Sequence, residues 1–360
     1  MGTISTVGLD LAKSVFQVHA ADAGGAIAAK RKLRRGDVLA YFAKLPRCLV
    51  GIEACGTAHH WAREIRALGH DVRLIPPQYA KAYVKRGKTD AADAAAICEA
   101  VTRPSIHAVP IKTVEQQSLL TLHRTRALLV GQRTQTLNAI RSHIAEFGVI
   151  AAKGNVGACA LLEIIRNGDD TRLPALARTA CAVLATALET IARGIAELDA
   201  RIEEAHKTNP VSRRLDTIPG IAALTATAFA ASIGDASVFK SGRSFSAWLG
   251  LTPKISGSGG TVTLGEITRS GDRYLRRLLY TGATSVLFQA KKRPAAYPWL
   301  TRLLGKLKFK QVAIALANKM ARIIWALMVR GGVYRPDHQA AIRAEPPKGS
   351  AMKTFAALPA

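Results

Sequence analysis

The first 77 residues consist of short apolar runs separated by polar and turn-forming residues. TVGLDLAKSVFQVHAAD predicts two strands around a bend, and AIAAKRKL, CLVGIEA and DVRLIPP predict three more. GDVLAYFAKL and GTAHHWAREIRALGH predict helices between them, the second closed by Gly69. Three early strands followed by strand–helix alternation predict a mixed α/β sheet with flanking helices.

The chain changes character after about residue 105. Residues 113–147 and 178–206 have apolar positions at helical spacing, which predicts two long amphipathic helices that pair as a coiled coil. We interpret this part as a helical linker or dimerisation arm. Residues 215–235 predict a helix, a tight PGI turn and a second helix, and the backbone N–H groups of such a turn suit a DNA phosphate. The segment SGSGG at 256–260 predicts a mobile loop.

The charge balance restricts the class of partner. The 360 residues include 51 Lys+Arg and 25 Asp+Glu, a net charge of +26. This excess predicts a polyanionic partner, either nucleic acid or a membrane surface. The most basic region is 269–330, where 14 Lys/Arg accompany one acid, Asp272, and it predicts a phosphate-facing surface.

Neither a membrane span nor an export signal is predicted. Mean hydropathy is only +0.11, and Lys319 and Arg322 interrupt the C-terminal apolar run. The N-terminus has no basic region followed by an apolar one. The cysteines form no CxxC and no zinc spacing, which predicts reduced thiols in a cytoplasmic protein. They are Cys48, Cys55, Cys98, Cys159 and Cys181.

Four carboxylates stand out in this basic chain. Asp90 and Asp93, in KTDAADAAAI, are three residues apart on a predicted helix and project to one side. Asp10 and Glu53 end apolar strands. Together the four could hold two Mg²⁺ or Mn²⁺ ions, because these metals prefer oxygen ligands. The alternative is a set of surface ion pairs with the neighbouring cations, which are Lys81, Lys85, Arg86 and Lys88.

These motifs resemble a known family. GLDLAK, GIEACGTAHHWAR and KTDAADAAAI, which contain the four acids, resemble the D-E-D-D set of a RuvC-like, ribonuclease-H-type domain. IPGI and AWLGLTP…SGSGG…LGEITRSGDRYLRRLL resemble the second domain of the DEDD transposases of bacterial insertion sequences. The match to this IS110 family of bridge-RNA-guided recombinases covers roughly residues 5–333, with the motifs in family order.

The resemblance also implies a serine nucleophile. In the family it follows the GLTP motif, and in this chain GLTP ends at Pro253, so Ser258 is the match and Ser256 the competitor. Glycines on both sides of Ser258 allow a phosphate to approach closely. The resemblance implies that metal held by the acids of the other domain, from the same or another subunit, activates the serine. Phosphate charge would be stabilised by four arginines: Arg269, Arg273, Arg276 and Arg277.

The predicted organisation has four parts. Residues 1–105 form the α/β RuvC-like domain, 106–207 the helical coiled-coil linker, 208–333 a mostly α transposase domain and 334–360 a disordered tail. The predicted function is a cytoplasmic transposase that cleaves and rejoins donor and target DNA through a serine–DNA ester. The resemblance adds a noncoding bridge RNA and a homodimer or homotetramer. The alternatives are a RuvC-type metal-dependent junction endonuclease and a non-catalytic nucleic-acid-binding protein.

Overall fold

The computed structural model describes residues 3–84 and 89–335, without the side chains of Asn155 and Ser258. The predicted cations Lys85, Arg86 and Lys88 lie outside this description, and so does the predicted disordered tail, 334–360, except for its first two residues. Contacts divide the chain into two compact units, one within residues 1–212 and 223–239, the other within 213–222 and 240–360. The four functional domains drawn from the sequence stay a prediction.

A five-stranded mixed sheet forms the N-terminal part of the first unit. Its strands are β1 (Thr6–Asp10), β2 (Val15–Ala21), β3 (Ile27–Arg34), β4 (Leu49–Glu53) and β5 (Asp71–Ile75). Their order across the sheet is β3-β2-β1-β4-β5, so β3 and β5 are the edges. The first three strands pair antiparallel as a meander, whereas β4 and β5 run parallel to β1. The predicted mixed α/β sheet is confirmed.

Helices cover the sheet on both faces. Helices α1 (Val38–Ala43) and α2 (Ala58–Ala67) pack on one face, where Phe16 meets Trp61 edge to face at 5.0 Å between ring centroids. Helix α3 (Pro77–Lys81) follows β5 and begins with a proline, whose missing N–H is harmless at a helix start. Helix α4 (Asp90–Val101) lies on the opposite face, where Ile97 and Val101 pack with Ile75.

Five helices, two of them long, follow α4 in the part of the chain described for the first unit. They are α5 (Val114–Ala145), α6 (Asn155–Arg166), α7 (Ala175–Thr208), α8 (Pro210–Leu215), which reaches into the second unit, and α9 (Ala223–Ser232). Helix α5 begins with a capping box between Thr113 and Gln116. Arg126 pairs with Asp199, while Ile140 packs near Cys181, so α5 and α7 run antiparallel. The two long helices match the sequence prediction, and the coiled-coil geometry stays a prediction.

The second unit is helical with one β-hairpin. Its further elements are α10 (Gly242–Trp248), β6 (Pro253–Ser258), β7 (Thr261–Ile267), α11 (Arg273–Lys292), α12 (Pro298–Leu304) and α13 (Phe309–Arg330). The prediction that SGSGG forms a loop is wrong, because residues 256–258 belong to β6. Only Gly259 and Gly260 form the turn, with φ of 57° and 81°, as a two-residue hairpin requires.

The predicted PGI turn packs tightly within the second unit. Gly220 has φ of 85°, which favours glycine. A Cβ on Gly220 would lie 2.7 Å from the carbonyl oxygen of Gly282 in α11, and a Cβ on Gly282 would lie 2.1 Å from that of Gly220. The two glycines therefore allow the turn and α11 to touch backbone to backbone. Phosphate binding by this turn stays a prediction.

Length and composition alone would allow two helices, α7 and α13, to cross a membrane. This is weak evidence, because the core helix of a soluble protein meets the same criterion. In α13, one side is buried, from Val312 to Leu327, and Lys319 lies 4.4 Å from the ring centroid of Trp299. The absence of a membrane span stays a prediction from the sequence.

Candidate functional site

Two glycines bring α4 close to the centre of the sheet. A Cβ on Gly8 of β1 would lie 2.1 Å from the carbonyl oxygen of Ala94 and 2.4 Å from the amide nitrogen of Cys98. A Cβ on Gly51 of β4 would lie 2.8 Å from Cβ of Val101. All three distances are shorter than real Cβ contacts, so neither position has room for a side chain. The helix backbone therefore lies directly on β1 and β4.

The four predicted acids converge at one end of this contact. Asp10 and Glu53 are the last residues of β1 and β4, each two positions after the glycine, so they share the sheet face on which α4 lies. Asp90 and Asp93 are in the first turn of α4. One carboxylate oxygen from each of Asp10, Asp90 and Asp93 lies within 4.8 Å of the other two.

The start of α4 explains why two acids are tolerated in its first turn. Thr89 caps the helix, its hydroxyl accepting the backbone N–H of Ala92 at 3.2 Å. Negative side chains near a helix N-terminus are stabilised by the unpaired N–H groups there. This local effect accounts for the position of Asp90 and Asp93 on one helix, but it does not account for Asp10, which comes from a strand.

The acids influence one another electrostatically. Burial, reinforced by Asp93, Asp90 and Glu53, raises the pKa of Asp10 to about 6. Burial, and then Asp93, also raises the pKa of Glu53. Two like charges 4 Å apart repel by about 4 kcal/mol at an effective dielectric constant of about 20. The cluster therefore favours either a bound proton or a bound cation.

The donor set fits a divalent metal. All four ligand candidates are carboxylates, which are hard oxygen donors of the kind that Mg²⁺ and Mn²⁺ select, and no imidazole or thiolate belongs to the group. Glu53 lies outside the tight group of three but is close enough to Asp10 to raise its pKa. Asp10, Asp90 and Asp93 are thus the residues best placed to hold a metal, with Glu53 beside them.

The two candidate serines lie on the hairpin of the second unit. Ser256 pairs with Thr263 and Ser258 with Thr261, the last pair before the Gly259–Gly260 turn. Both residues are held by strand pairing on one side, which differs from the flexible loop predicted from the Gly–Ser composition. Ser258 nevertheless lies next to the turn of the hairpin, whose second strand is exposed from Thr261 to Glu266.

The four predicted phosphate-binding arginines differ in environment. Arg269, Arg273 and Arg277 are exposed, and Arg277 lies 5.3 Å from the ring centroid of Tyr274. Arg269 pairs with Glu266 at 2.7 Å and has φ of 56°, unusual for a residue with a side chain. Arg276 is half-buried.

Arg276 has a structural contact that the sequence did not indicate. Its Nη1 donates to the carbonyl oxygens of Leu249 and Ser270, at 2.8 and 2.7 Å. This guanidinium therefore joins α11 to the two segments that flank the hairpin.

The two packing glycines, Gly8 and Gly51, were not predicted from the sequence. A signal for them exists, because GLD in β1 and GIE in β4 share the pattern of glycine, apolar residue and acid. In parallel neighbouring strands, this repeated pattern places the glycines side by side under a helix and the acids side by side at its end. The register confirms the arrangement, since Gly8 pairs with Gly51.

A mixed sheet with carboxylates at adjacent strand ends, in a chain this basic, indicates an enzyme that acts on nucleic acid. Comparison with known proteins defines the family. A transposase model of the DEDD type from IS110 elements matches residues 7–148. A second model, of the transposase IS116/IS110/IS902 family, matches residues 212–298.

Similar proteins extend over nearly the whole chain. A probable family 20 transposase of Pseudomonas aeruginosa is 47% identical over 92% of this chain and 99% of its own length. The transposase for insertion sequence element IS1111A of Coxiella burnetii is 36% identical over 93% of this chain and 92% of its own. That for IS1328 of Yersinia enterocolitica is 33% identical over 93% and 99%. The chain belongs to the IS116/IS110/IS902 family of transposases, enzymes that act on DNA.

Proposed function

We propose that this transposase cuts and rejoins DNA strands through a covalent serine–DNA intermediate at Ser258. The carboxylates Asp10, Glu53, Asp90 and Asp93 form the metal site of the reaction. The observation that carries the proposal is the convergence of Asp10 from a strand end with Asp90 and Asp93 from a helix start. Such a convergence in a transposase supports a catalytic role over a set of surface ion pairs.

The acids have a defined task in this proposal. A divalent metal such as Mg²⁺ or Mn²⁺, when bound, supplies positive charge that stabilises the attacked phosphate. Asp10 and Glu53 are fixed by the sheet, and Asp90 and Asp93 by the capped first turn of α4. These rigid elements hold the carboxylate oxygens in place before DNA binds, so little reorganisation is needed at the reaction step.

The serine step conserves a phosphodiester bond. The Ser258 hydroxyl oxygen forms a bond to phosphorus, the bond from phosphorus to one deoxyribose oxygen breaks, and the hydroxyl proton passes to that leaving oxygen. The strand is then held as a phosphoserine ester. Attack by another deoxyribose hydroxyl reverses the exchange and releases the serine, so rejoining requires no ATP. The phosphate charge is bound by three exposed arginines that follow the hairpin in the sequence, Arg269, Arg273 and Arg277.

A denaturing gel with a labelled DNA substrate tests the acids and the intermediate together. In Mg²⁺, the native protein should form a protein-linked strand. Asp10→Ala, Glu53→Ala, Asp90→Ala and Asp93→Ala should each abolish it while DNA binding largely survives. Glu99→Gln, on the same helix but exposed and paired with Arg103, is the matched control and should retain activity. Full activity in any two of the four acid variants would remove the metal site from the proposal.

A second candidate is a RuvC-type junction endonuclease in which water attacks the phosphate. It is favoured by the fact that Asp10, Asp90 and Asp93 all belong to the first unit. Metal-dependent cleavage without any protein-linked strand would establish this candidate. A protein that binds DNA but never cleaves it, with any metal, would instead be a nucleic-acid scaffold.

Three partners complete the proposal. A noncoding bridge RNA guides the protein to donor and target DNA, in line with the resemblance and the +26 charge. The active form is a dimer or tetramer, supported by exposed apolar residues on the long helices, which are Leu128, Leu176 and Val183. The protein works in the cytoplasm, where its DNA lies. Light scattering with and without nucleic acid tests the assembly, and a strict monomer would contradict it.

A further inference from the structure

The face of the sheet that holds Asp10 continues across β2, which α4 also contacts, to the edge strand β3. In β2, Phe16, Val18 and Ala20 point into the core beneath α1 and α2. Side chains alternate along a strand, so Gln17 and His19 lie on the opposite face, the one that carries Asp10. The register agrees, because Asp10 pairs directly with Gln17.

The pairing of β2 with β3 extends this face into a row of cations. Arg34 pairs with Val15, Lys32 with Gln17 and Lys30 with His19, so these three basic residues share the face of Asp10. Arg31 and Leu33 pair with Val18 and Phe16 and lie on the core side.

The electrostatics of neighbouring groups agree with the two faces. Burial, and then Lys30, lowers the pKa of His19. On the core side, burial raises the pKa of Tyr41 in α1 and the nearby Arg31 opposes this increase. Lys30 therefore acts on a residue of the Asp10 face and Arg31 on a residue of the other face.

These three cations are accessible. Lys30, Lys32 and Arg34 are exposed, and none takes part in the ion pairs found within residues 3–84 and 89–335. Alternation along the strand places neighbouring members about 6.8 Å apart. Lys32 lies two strands from Asp10, roughly 10 Å between backbones, in the row Asp10–Gln17–Lys32. We call this set, Lys30, Lys32 and Arg34, the β3 basic row.

We propose that the β3 basic row binds the phosphodiester backbone of the DNA strand that enters the acidic cluster. The inference rests on the proposed function, which puts the reacting phosphate at that cluster. Three cations in line, none of them in an ion pair with the described part of the chain, are complementary to a chain of phosphates, whereas the carboxylates alone would repel it. The row contains no aromatic side chain and no base-reading pattern, so its contribution is independent of sequence.

Two arginines of the same strand provide a matched test. Arg34 belongs to the row and Arg31 to the other face, and both are exposed. Binding of full-length Arg34→Gln and Arg31→Gln to a labelled duplex is measured by fluorescence anisotropy from 50 to 300 mM salt, in EDTA. Arg34→Gln should reduce the salt slope by about 0.9 and weaken binding about 5- to 10-fold near 0.1 M salt. Arg31→Gln should change the slope far less, and K30Q/K32Q should change it about twice as much as Arg34→Gln.

The outcomes separate this inference from the proposed function. Equal slopes for Arg34→Gln and Arg31→Gln, or a native slope for K30Q/K32Q, would overturn the inference without affecting catalysis by the acids. If Arg34→Gln and K30Q/K32Q weaken binding only to an RNA oligonucleotide of the same sequence and not to DNA, the assignment of the row to DNA is overturned. Asp10→Asn should bind with the native slope and fail to cleave. If Asp10→Asn cleaves normally, the proposed function fails, while the comparison of the two arginines still decides whether the row binds DNA.

Discussion

Gly8 and Gly51 lie side by side in neighbouring parallel strands, directly beneath one helix. Neither has space for a methyl group. A Cβ on Gly8 would lie 2.1 Å from the backbone oxygen of Ala94, and a Cβ on Gly51 would lie 2.8 Å from Cβ of Val101. The distance between α4 and the strand ends, and with it the distance between Asp93 and Asp10, therefore depends on the absence of two side chains.

Replacement of Gly8 by alanine should push α4 away from the sheet. The obstructing atom is the backbone oxygen of Ala94, which cannot rotate aside. We expect destabilisation of about 1–3 kcal/mol, typical of overpacking, and at least a tenfold loss of strand exchange. Gly36→Ala is the control, since a Cβ at that position would meet nothing within 4 Å. Thermal unfolding and the gel assay measure both effects, and native behaviour of Gly8→Ala would contradict the close packing of α4.

The acid cluster should make the metal-free protein less stable as the pH rises. Because folding raises the pKa of Asp10 from 3.8 to about 6, the folded state binds the proton more tightly, and stability falls between about pH 4 and pH 6. The full shift corresponds to about 3 kcal/mol, but Asp10 is only half-buried, and solvent screening reduces the expected effect to about 1 kcal/mol.

Asp10→Asn tests this sign. In EDTA it should be more stable than the native protein at pH 7 and equally stable at pH 4. Asp37→Asn, on the exposed segment before α1, should show no such difference. Added Mg²⁺ should reverse the order at pH 7, because it stabilises only a protein that binds it. Unfolding monitored by circular dichroism gives the comparison, and a native protein that is more stable at pH 7 in EDTA would refute it.

The two serines of β6 should differ in the covalent step. Ser258→Ala should retain folding and DNA binding and eliminate the protein-linked strand, whereas Ser256→Ala should keep at least part of it. The physical reason is position, since Ser258 adjoins the Gly259–Gly260 turn while Ser256 follows the bulky Ile255. If Ser256→Ala eliminates the protein-linked strand and Ser258→Ala keeps it, the nucleophile is Ser256. If both variants cleave DNA as the native protein does and none of the three proteins forms a protein-linked strand, water is the nucleophile.

Arg276 and Arg277 should separate stability from DNA binding. Arg276→Gln removes the hydrogen bonds to Leu249 and Ser270 and should cost about 1–3 kcal/mol. Arg277→Gln is exposed and should cost less than about 0.5 kcal/mol, but should reduce the salt slope of DNA binding by about 0.9. Thermal unfolding and salt titration of both variants decide the matter. An unchanged melting temperature for Arg276→Gln would contradict its structural role.

Much of the N-terminal fold could be predicted because its signals are local. These signals are the periodicity of the strands, Gly69 at the end of helix α2 and the acids at the strand ends, and each can be read within a few residues. The meeting of Asp10 with Asp93 could only be suggested, since it depends on how the roughly 80 intervening residues fold. The β3 basic row is invisible in AIAAKRKL alone, where Lys30, Arg31 and Lys32 are consecutive. The pairing with β2 shows that Lys30 and Lys32 lie on the face of Asp10 and that Arg31 lies on the core side.

The hairpin was missed for a different reason. Gly and Ser dominate SGSGG, and such composition is typical of flexible segments. The stronger signal is GG between KISGS and TVTL, because two glycines with positive φ make a tight turn between strands. The hydrogen bonds of Arg276 to carbonyl oxygens could not be predicted from the sequence. In a basic helix, an arginine that binds a carbonyl oxygen and one that binds a phosphate have the same sequence pattern.

Strand β3 is an edge of the sheet, and this position has a consequence for the purified protein. An edge strand exposes unpaired N–H and C=O groups that can pair with an edge strand of another molecule. In β3, two such copies would bring Lys30, Arg31, Lys32 and Arg34 of each strand together, and their mutual repulsion opposes aggregation. Substitutions that neutralise this strand should therefore lower solubility as charges are removed, most of all at high salt, where the remaining repulsion is screened.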